Sequence, residues 1–174
     1  MRQDGKGADL ELFLVLRGDA LLQTAVLLAG SKHGGEDLLQ EALERLVRHW
    51  HRLDGDPEGY ARRTLRNLAI DGWRRRTRRP EVLGLPLTAM VPDPADQVDL
   101  TVTMLSALAQ LTPRQRAVLV VRYWEQLSEA ETAESLGCTV SAVKAAAGRG
   151  LRRLRELMDS VATPGQMKAK ELPE

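Results

Sequence analysis

The sequence predicts an all-α protein in which two small helical domains are joined by a flexible linker. Apolar residues recur at helical spacing through most of the chain, and no segment alternates in the way of a strand. Four prolines interrupt the pattern in the middle of the chain and predict a linker there: Pro80, Pro86, Pro92 and Pro94. The predicted units are a first domain at 8–79, the linker at 80–97, a second domain at 98–158 and a disordered tail at 159–174.

Three helices are predicted in the first domain. The first carries an apolar stripe that includes Leu21 and Leu28, and Gly34–Gly35 are expected to break the chain after it. The second carries a similar stripe that includes Leu46. Asp56–Pro57 combines a capping side chain with a proline at the first helical position, which predicts the start of the third helix.

The second domain has the pattern of a helix-turn-helix. Thr112–Gln115 and Ser128–Glu131 both have the form of a capping box, which predicts two helix starts. Ala133, Gly137 and Val143 have the spacing that lets two helices approach, turn and pack. An ordinary helical hairpin could share these features, but the second helix is also basic, which favours DNA binding.

Charge is distributed unevenly along a nearly neutral chain. The formal net charge is +1, and arginines outnumber lysines by 20 to 5. The arginines are concentrated at 62–79 and 149–155, whereas acidic residues collect between Glu36 and Glu58. Separate basic and acidic surfaces predict that one binds a polyanion and the other a basic protein.

Several classes of function are not expected. The single cysteine, Cys138, allows no internal disulfide and is expected to pack in the core of a cytoplasmic protein. The apolar runs are short for a membrane span, and 1–9 lacks the apolar core of a secretion signal. The three histidines (His33, His49 and His51) have no cysteine nearby, so we expect no metal. No phosphate loop or nucleophile motif is present, so we expect no cofactor and no enzyme.

Six segments of the chain carry motifs of a known family. The second domain contains LTPRQRAVL at 111–119, LSEAETA at 127–133 and LGCTVSAVK at 136–144. The first domain contains EDLLQEA at 36–42, PEGYARR at 57–63 and RNLAIDGWR at 66–74. The first three segments resemble region 4 of the sigma-70 family of transcription factors, and the other three resemble its region 2. The likeness is to the small extracytoplasmic-function type, whose core contains only these two regions. It implies a factor that associates with core RNA polymerase, directs it to promoters and helps to melt the −10 element.

The resemblance also implies which residues of the first domain bind. The contact with the β′ coiled coil of the polymerase would be made by Asp37, Gln40, Glu41 and Glu44, which share one helical stripe. For Glu44 alone, a solvated acidic face is an equal alternative. The −10 element would be bound by Arg62, Arg63, Arg66, Asn67, Asp71, Trp73, Arg74, Arg75 and Arg76. Arginines would hold phosphates, Asn67 and Asp71 would line the site of strand recognition, and Trp73 would either stack on a base or pack in the core.

In the second domain, the resemblance places the −35 contact on the second helix of the helix-turn-helix. The implied residues are Thr139, Ser141, Ala142, Lys144, Ala145, Arg149 and Arg152. The sequence departs from the family here, since Ala145–Ala147 occupy positions that often carry polar base-reading residues, and Gly148 and Gly150 follow. Alanine cannot make bidentate hydrogen bonds to a base. We therefore expect a −35 contact that depends on phosphates and DNA shape.

The expected partners are promoter DNA and core RNA polymerase, the latter through its β′ coiled coil and β flap, and the resemblance adds an anti-sigma factor. The free chain is expected to be a cytoplasmic monomer. Two alternatives remain open: a stand-alone helix-turn-helix regulator that binds DNA as a dimer, and a sigma-like protein that sequesters a partner. The first alternative leaves the acidic helix without a role, and the second rests on the alanine-rich recognition helix.

Overall fold

The computed structural model describes the backbone at 3–53, 55–78 and 100–162, and within these ranges every regular element is helical. The helices are α1 (Gln3–Ala29), α2 (Lys32–His49), α3 (Pro57–Arg78), α4 (Leu100–Ala109), α5 (Pro113–Leu119), α6 (Glu129–Leu136) and α7 (Val140–Ala162). A 3₁₀ turn follows α2 at Trp50–Arg52, and α5 continues as a π-helical turn at Val120–Trp124. The all-α prediction is confirmed. The predicted linker lies outside the described residues, and α7 runs to Ala162, past the predicted end at 158.

Helices α1 and α2 form a hairpin that turns at Gly30–Ser31. Gly30 has a φ of 79°, and the Ser31 side chain caps α2 by accepting from the Gly34 amide at 3.2 Å. The predicted break at Gly34–Gly35 is wrong, because both glycines lie inside α2. A Cβ at Gly35 would sit 2.5 Å from Cα of Val26, so this glycine serves the close approach of α1 and α2.

Helix α3 packs against both helices of this hairpin. It begins where the sequence predicts, since Asp56 Oδ1 accepts from the Gly59 amide at 2.8 Å. Leu21, Leu46 and Leu65, from the three helices in turn, are fully buried together. This packing buries the side of α3 that carries Leu65 and leaves the opposite side exposed to solvent.

The helix-turn-helix forms as predicted. Both capping boxes are present, with reciprocal hydrogen bonds between Thr112 and Gln115 and between Ser128 and Glu131. Gly137 ends α6 with a left-handed conformation of φ 59° and ψ 47°. The small and β-branched residues flanking this turn are buried, so α6 and α7 pack at the expected positions.

The two halves of the chain pack against one another. One hydrophobic cluster includes Leu21 and Leu65 from the first half and Val118 and Val121 from the second. Helix α5 contacts both α1 and α3. In this structure the predicted domains therefore share a core, an arrangement that the sequence did not indicate.

Helix α1 contains a segment, Asp9–Ala29, that is long and apolar enough to cross a membrane, the one such segment in the part of the chain that the structure describes. The expectation that every apolar run is too short is therefore wrong by length and composition. Leu21, Ala25 and Leu28 of this segment are at most 4% exposed and belong to the core. The core helix of a soluble protein can have the same length and apolar composition, so this segment is weak evidence for a membrane span.

Candidate nucleic-acid interface

The predicted polymerase-binding residues form an exposed acidic stripe on α2. The side chains of Asp37, Glu41 and Glu44 are 71%, 46% and 58% exposed, and Gln40 is exposed between them. Ala42 lies on the opposite, buried face.

Each carboxylate of this stripe has a basic neighbour one helical turn away. The pairs are His33–Asp37 at 3.6 Å, Arg45–Glu41 at 2.8 Å and Arg48–Glu44 at 3.9 Å. Exposed pairs of this kind contribute only about 0.3–0.5 kcal/mol. The carboxylates can therefore exchange these neighbours for a basic partner at little cost.

Five of the predicted −10 residues lie on one exposed face of α3: Arg63, Asn67, Asp71, Arg74 and Arg75. Arg63, Asn67, Asp71 and Arg74 recur every three or four residues, and Arg75 follows Asp71 by four, so all five lie toward one side of the helix. The opposite face of α3 carries Leu65 and Leu68, which are buried. The fold therefore brings cationic, amide and carboxylate groups together on a single surface.

Arg62 and Arg66 do not join this surface. Arg62 donates to Glu58 Oε1 at 2.8 and 3.0 Å and to Thr24 Oγ1 at 3.4 Å. Arg66 forms an ion pair with Glu125 in which the side chains are 11% and 2% exposed. Both arginines point toward protein rather than solvent in this structure.

Of the other predicted −10 residues, Trp73 is half-buried and packs against the hydrophobic cluster. This placement favours the core role over base stacking. Arg76 belongs to α3, and its side chain lies outside the described residues.

The predicted −35 residues follow the exposed side of α7. Ser141, Lys144, Ala145, Arg149 and Arg152 are all exposed along successive turns. Lys144 Nζ lies 3.5 Å from Glu129 Oε2 in a solvent-exposed ion pair.

The remaining two −35 residues stand at the start of the helix. Thr139 Oγ1 accepts from the Ala142 amide at 3.2 Å and so caps α7. Ala142 itself is half-buried.

The alanine run divides between the outer and inner faces of α7. Ala146 and Ala147 are 1% and 9% exposed, so Ala145 alone among the three alanines lies on the exposed face. They follow Val143 by three and four residues, a spacing that assigns them to its buried face. Gly150 shares that face, and a Cβ there would meet Leu119 Cδ1 at 3.2 Å.

Sequence reasoning missed Arg116, which joins the two halves. This residue is only 6% exposed, and its guanidinium donates to the carbonyls of Leu28 at 3.0 Å and Ala29 at 2.9 Å. These carbonyls end α1, where a helix leaves acceptors unpaired and a cation is favoured. Glycine suits position 30, because its φ of 79° strains other residues and a Cβ would also lie 2.5 Å from Arg116 Nη1.

Sequence reasoning also missed Trp124 and Glu125, which contact the first half. Trp124 Nε1 donates to Thr24 Oγ1 at 3.1 Å. Burial raises the pKa of Glu125, and the neighbouring Arg66 and Arg62 oppose that rise. No motif marks these residues, because their partners are distant in sequence.

A groove of about 1080 Å³ runs between the halves. Its lining includes Asp37 and Glu41 of the acidic stripe and Arg74 and Arg75 of the α3 surface. Among the described residues, no group of three or more histidine, cysteine or acidic side chains could hold a metal ion. The groove therefore adjoins both predicted binding surfaces of the first half.

The fold defines an all-helical protein with a helix-turn-helix in its second half, and comparison with known proteins identifies the family. The family model Sigma-70 region 2 matches 14–79, and Sigma-70, region 4 matches 102–154. The RNA polymerase sigma-E factor of Streptomyces avermitilis is 35% identical over 159 residues, covering 90% of this chain and 88% of the relative. The ECF RNA polymerase sigma factor SigX of Bacillus subtilis is 32% identical over 151 residues, covering 80% of this chain and 78% of the relative.

A solved structure shares the fold. The sigma factor RpoE of Bartonella quintana, in complex with the anti-sigma factor NepR, superposes with a TM-score of 0.65 at 24% identity, covering 87% of this chain and 97% of that one. The chain belongs to the sigma-70 family, as an extracytoplasmic-function factor with regions 2 and 4, and it is a transcription initiation factor. Factors of this family bind core RNA polymerase and promoter DNA.

Proposed function

We propose a specific division of labour among the surfaces of this factor. The acidic stripe of α2 binds the β′ coiled coil of core RNA polymerase, and the second half binds the β flap. The exposed face of α3 binds and melts the −10 element, and the exposed face of α7 contacts the −35 element. The observation that carries the proposal is the single exposed surface of α3 formed by Arg63, Asn67, Asp71, Arg74 and Arg75.

The α2 assignment rests on exposure and charge. Its carboxylates stand on one face, and their basic neighbours belong to the same helix, so no contact with another helix has to break. A basic coiled coil would replace Arg45 and Arg48 as the partner of this stripe. The contact would strengthen at low salt, because exposed charges are screened.

The α3 assignment rests on the mixture of groups on its exposed surface. Opening a duplex requires cations that hold separated phosphates and polar groups that reach base edges. Arg63, Arg74 and Arg75 supply the cations, while Asn67 and Asp71 supply hydrogen-bonding groups between them. With Trp73 packed in the core, base recognition by this helix would depend on hydrogen bonds more than on stacking.

The α7 assignment keeps the expectation of weak direct readout. Of the three consecutive alanines, only Ala145 faces outward, and its methyl group can contact a thymine methyl but no hydrogen-bonding edge. Lys144, Arg149 and Arg152 are placed to contact phosphates. The −35 contact would therefore be dominated by charge and DNA shape.

The chain would act in the cytoplasm without catalytic activity of its own, as a monomer when free. Its structural neighbour was solved with the anti-sigma factor NepR, which supports an anti-sigma protein as a further partner of this chain. A stand-alone dimeric regulator would bind promoter DNA without polymerase, and gel filtration with DNA binding in the absence of core enzyme would reveal it.

In vitro transcription tests the α3 assignment. Core RNA polymerase with the wild-type chain is expected to initiate at selected promoters from a genomic library. Asn67→Ala is expected to lower initiation and relax the preference at one −10 position, whereas Gln23→Ala, which removes an exposed amide on α1, should have no effect. Equal behaviour of the two variants would contradict the assignment.

Pull-down with core polymerase tests the α2 assignment. Asp37→Arg reverses a charge within the acidic stripe, and Asp19→Arg makes the same change at an exposed position of α1. Only the first is expected to weaken the complex, because like charges would then face each other. Equal weakening by both variants would place the polymerase contact elsewhere.

A further inference from the structure

The groove between the two halves presents apolar side chains to water. Its volume is about 1080 Å³, above the range of about 300–1000 Å³ that is usual for pockets of single small molecules. Val102 lines it and is 40% exposed, and half-buried apolar side chains continue the lining: Val26, Leu38, Trp73 and Leu105. Apolar side chains left open to water in a groove are typical of a surface that another segment covers.

The chain between α3 and α4, which we call the connecting segment (79–99), leaves and returns at this groove. Trp73 and Arg74 line the groove near the end of α3, and Val102 and Leu105 line it near the start of α4. The 21 residues of the connecting segment can span up to about 70 Å when extended. Its length therefore does not limit its access to the groove, and both of its ends are already there.

The composition of the connecting segment suits an apolar groove. Its central run at 82–91 has the sequence VLGLPLTAMV, with seven aliphatic or methionine side chains and no charge. Such a run gains free energy by leaving water. Pro80, Pro86 and Pro92 restrict the unbound chain, so less conformational entropy is lost when it becomes ordered. Attachment at both ends also gives the run a high effective concentration at the groove, on the order of millimolar.

The charges of the connecting segment and of the groove are complementary. Glu81 precedes the apolar run, and Asp93 and Asp96 follow it. Exposed cations outnumber carboxylates in the groove lining, with Lys32, Arg74, Arg75 and Arg114 against Asp37 and Glu41. Exposed ion pairs contribute little stability, so the apolar run would hold the segment while the charges orient it.

We propose that the apolar run at 82–91 occupies the groove of the free chain as an intramolecular ligand, with its side chains against Val26, Leu38, Val102 and Leu105. The inference goes beyond the proposed division of labour and rests on none of its DNA or polymerase assignments. A partner that needs the groove has to displace the run. The apparent affinity of such a partner is lowered by the fraction of chains in which the groove is occupied.

Cys138 provides a direct test, because it lines the groove and is the one cysteine of the chain. A disulfide requires two Cβ atoms about 3.5–4.5 Å apart, so it reports contact at this position. In the full chain, Leu83→Cys is expected to form an intramolecular disulfide with Cys138 in a buffer of reduced and oxidised glutathione. The fraction of chains with this disulfide, read by intact mass, gives the effective concentration of one thiol at the other.

Paired substitutions separate docking from the proximity that attachment alone provides. Leu87→Asn, added to Leu83→Cys, replaces an apolar contact by a neutral amide and is expected to lower the effective concentration about tenfold as the run leaves the groove. Ala95→Asn, outside the run, is the matched control and should have no effect. Val102→Asn tests the groove side, and Val47→Asn, at an exposed position of α2 outside the groove lining, is its control.

Circular dichroism checks that each variant retains its helices, and the pair in the connecting segment decides the question if Val102→Asn loses them. The proposal is overturned if Leu83→Cys forms no intramolecular disulfide, or if Leu87→Asn and Ala95→Asn give the same effective concentration. It is also overturned if the disulfide joins two chains, which would identify a second copy as the occupant of the groove.

Discussion

At the residue scale, Glu125 combines deep burial with a cationic neighbour, and its protonation should affect stability. Its folded pKa is raised, chiefly because burial disfavours the charged carboxylate, while Arg66 and Arg62 oppose the rise. A raised folded pKa means that the folded chain binds the proton more tightly than the unfolded chain. The stability contributed by this group is fully present below the ordinary value of 4.5 and is lost as pH rises through the folded pKa.

Glu125→Gln removes this titration and provides the measurement. The free energy of unfolding of the wild type, relative to Glu125→Gln, is expected to fall between pH 4.5 and the raised pKa. Chemical denaturation at a series of pH values would record the difference. A constant difference between wild type and Glu125→Gln from pH 4.5 to the raised pKa would contradict the burial argument.

Glu131 is the opposite case. Its hydrogen bonds with Ser128 lower its pKa, so the stability that it contributes is lost as pH falls.

Neighbouring arginines of α3 should differ in their effect on DNA binding. Arg63 is exposed on the proposed −10 surface, whereas Arg62 is held by Glu58 and Thr24. Removing an arginine that contacts a phosphate lowers the slope of log affinity against log salt by about one. Arg63→Ala is therefore expected to lower the slope for holoenzyme on promoter DNA, and Arg62→Ala to lower it less. Equal slopes for the two variants would mean that Arg62 leaves Glu58 and Thr24 and contacts a phosphate in the holoenzyme–promoter complex.

At the element scale, α7 contains two glycines with different surroundings. A Cβ at Gly148 would meet nothing within 4 Å, whereas a Cβ at Gly150 would press on Leu119. Alanine stabilises a helix interior by about 0.5–1 kcal/mol relative to glycine. Gly148→Ala is expected to gain that amount in unfolding free energy, and Gly150→Ala to gain less because Leu119 must shift. Equal gains, measured by urea denaturation, would show that α5 and α7 are less tightly packed than the structure indicates.

The elements that were predicted correctly from sequence depend on interactions between residues that are close together in the chain. The capping boxes at Thr112 and Ser128 and the left-handed Gly137 depend on residues within four positions, so their pattern is visible in the chain. The prediction of a break at Gly34–Gly35 was wrong because the role of Gly35 depends on Val26, a residue of a different helix. The burial of Ala146 and Ala147 in α7 follows from their helical spacing from Val143, which the resemblance to the family does not indicate.

At the scale of the whole molecule, the sequence predicted two regions correctly but not their contact. Arg116 belongs to a segment that resembles region 4, and nothing within that segment indicates that its partners are carbonyls at the end of α1. Its burial could have been predicted only from the three-dimensional arrangement. The polar contacts and the shared core together imply that the halves depend on each other for stability.

Cooperative unfolding follows from that dependence. Because Leu21 and Val118 belong to one cluster and Arg116 bridges the halves, the wild-type chain is expected to unfold in one transition, with coincident curves from tryptophan fluorescence and circular dichroism. Arg116→Met keeps an unbranched apolar chain but removes the donors to Leu28 and Ala29, leaving buried acceptors unpaired, which costs about 1–3 kcal/mol or more. The variant should lower the midpoint and separate the two curves, whereas Arg114→Met, at an exposed position two residues earlier, should do neither. Two separate transitions already in the wild type would show that the halves fold independently and that the interface adds little to stability.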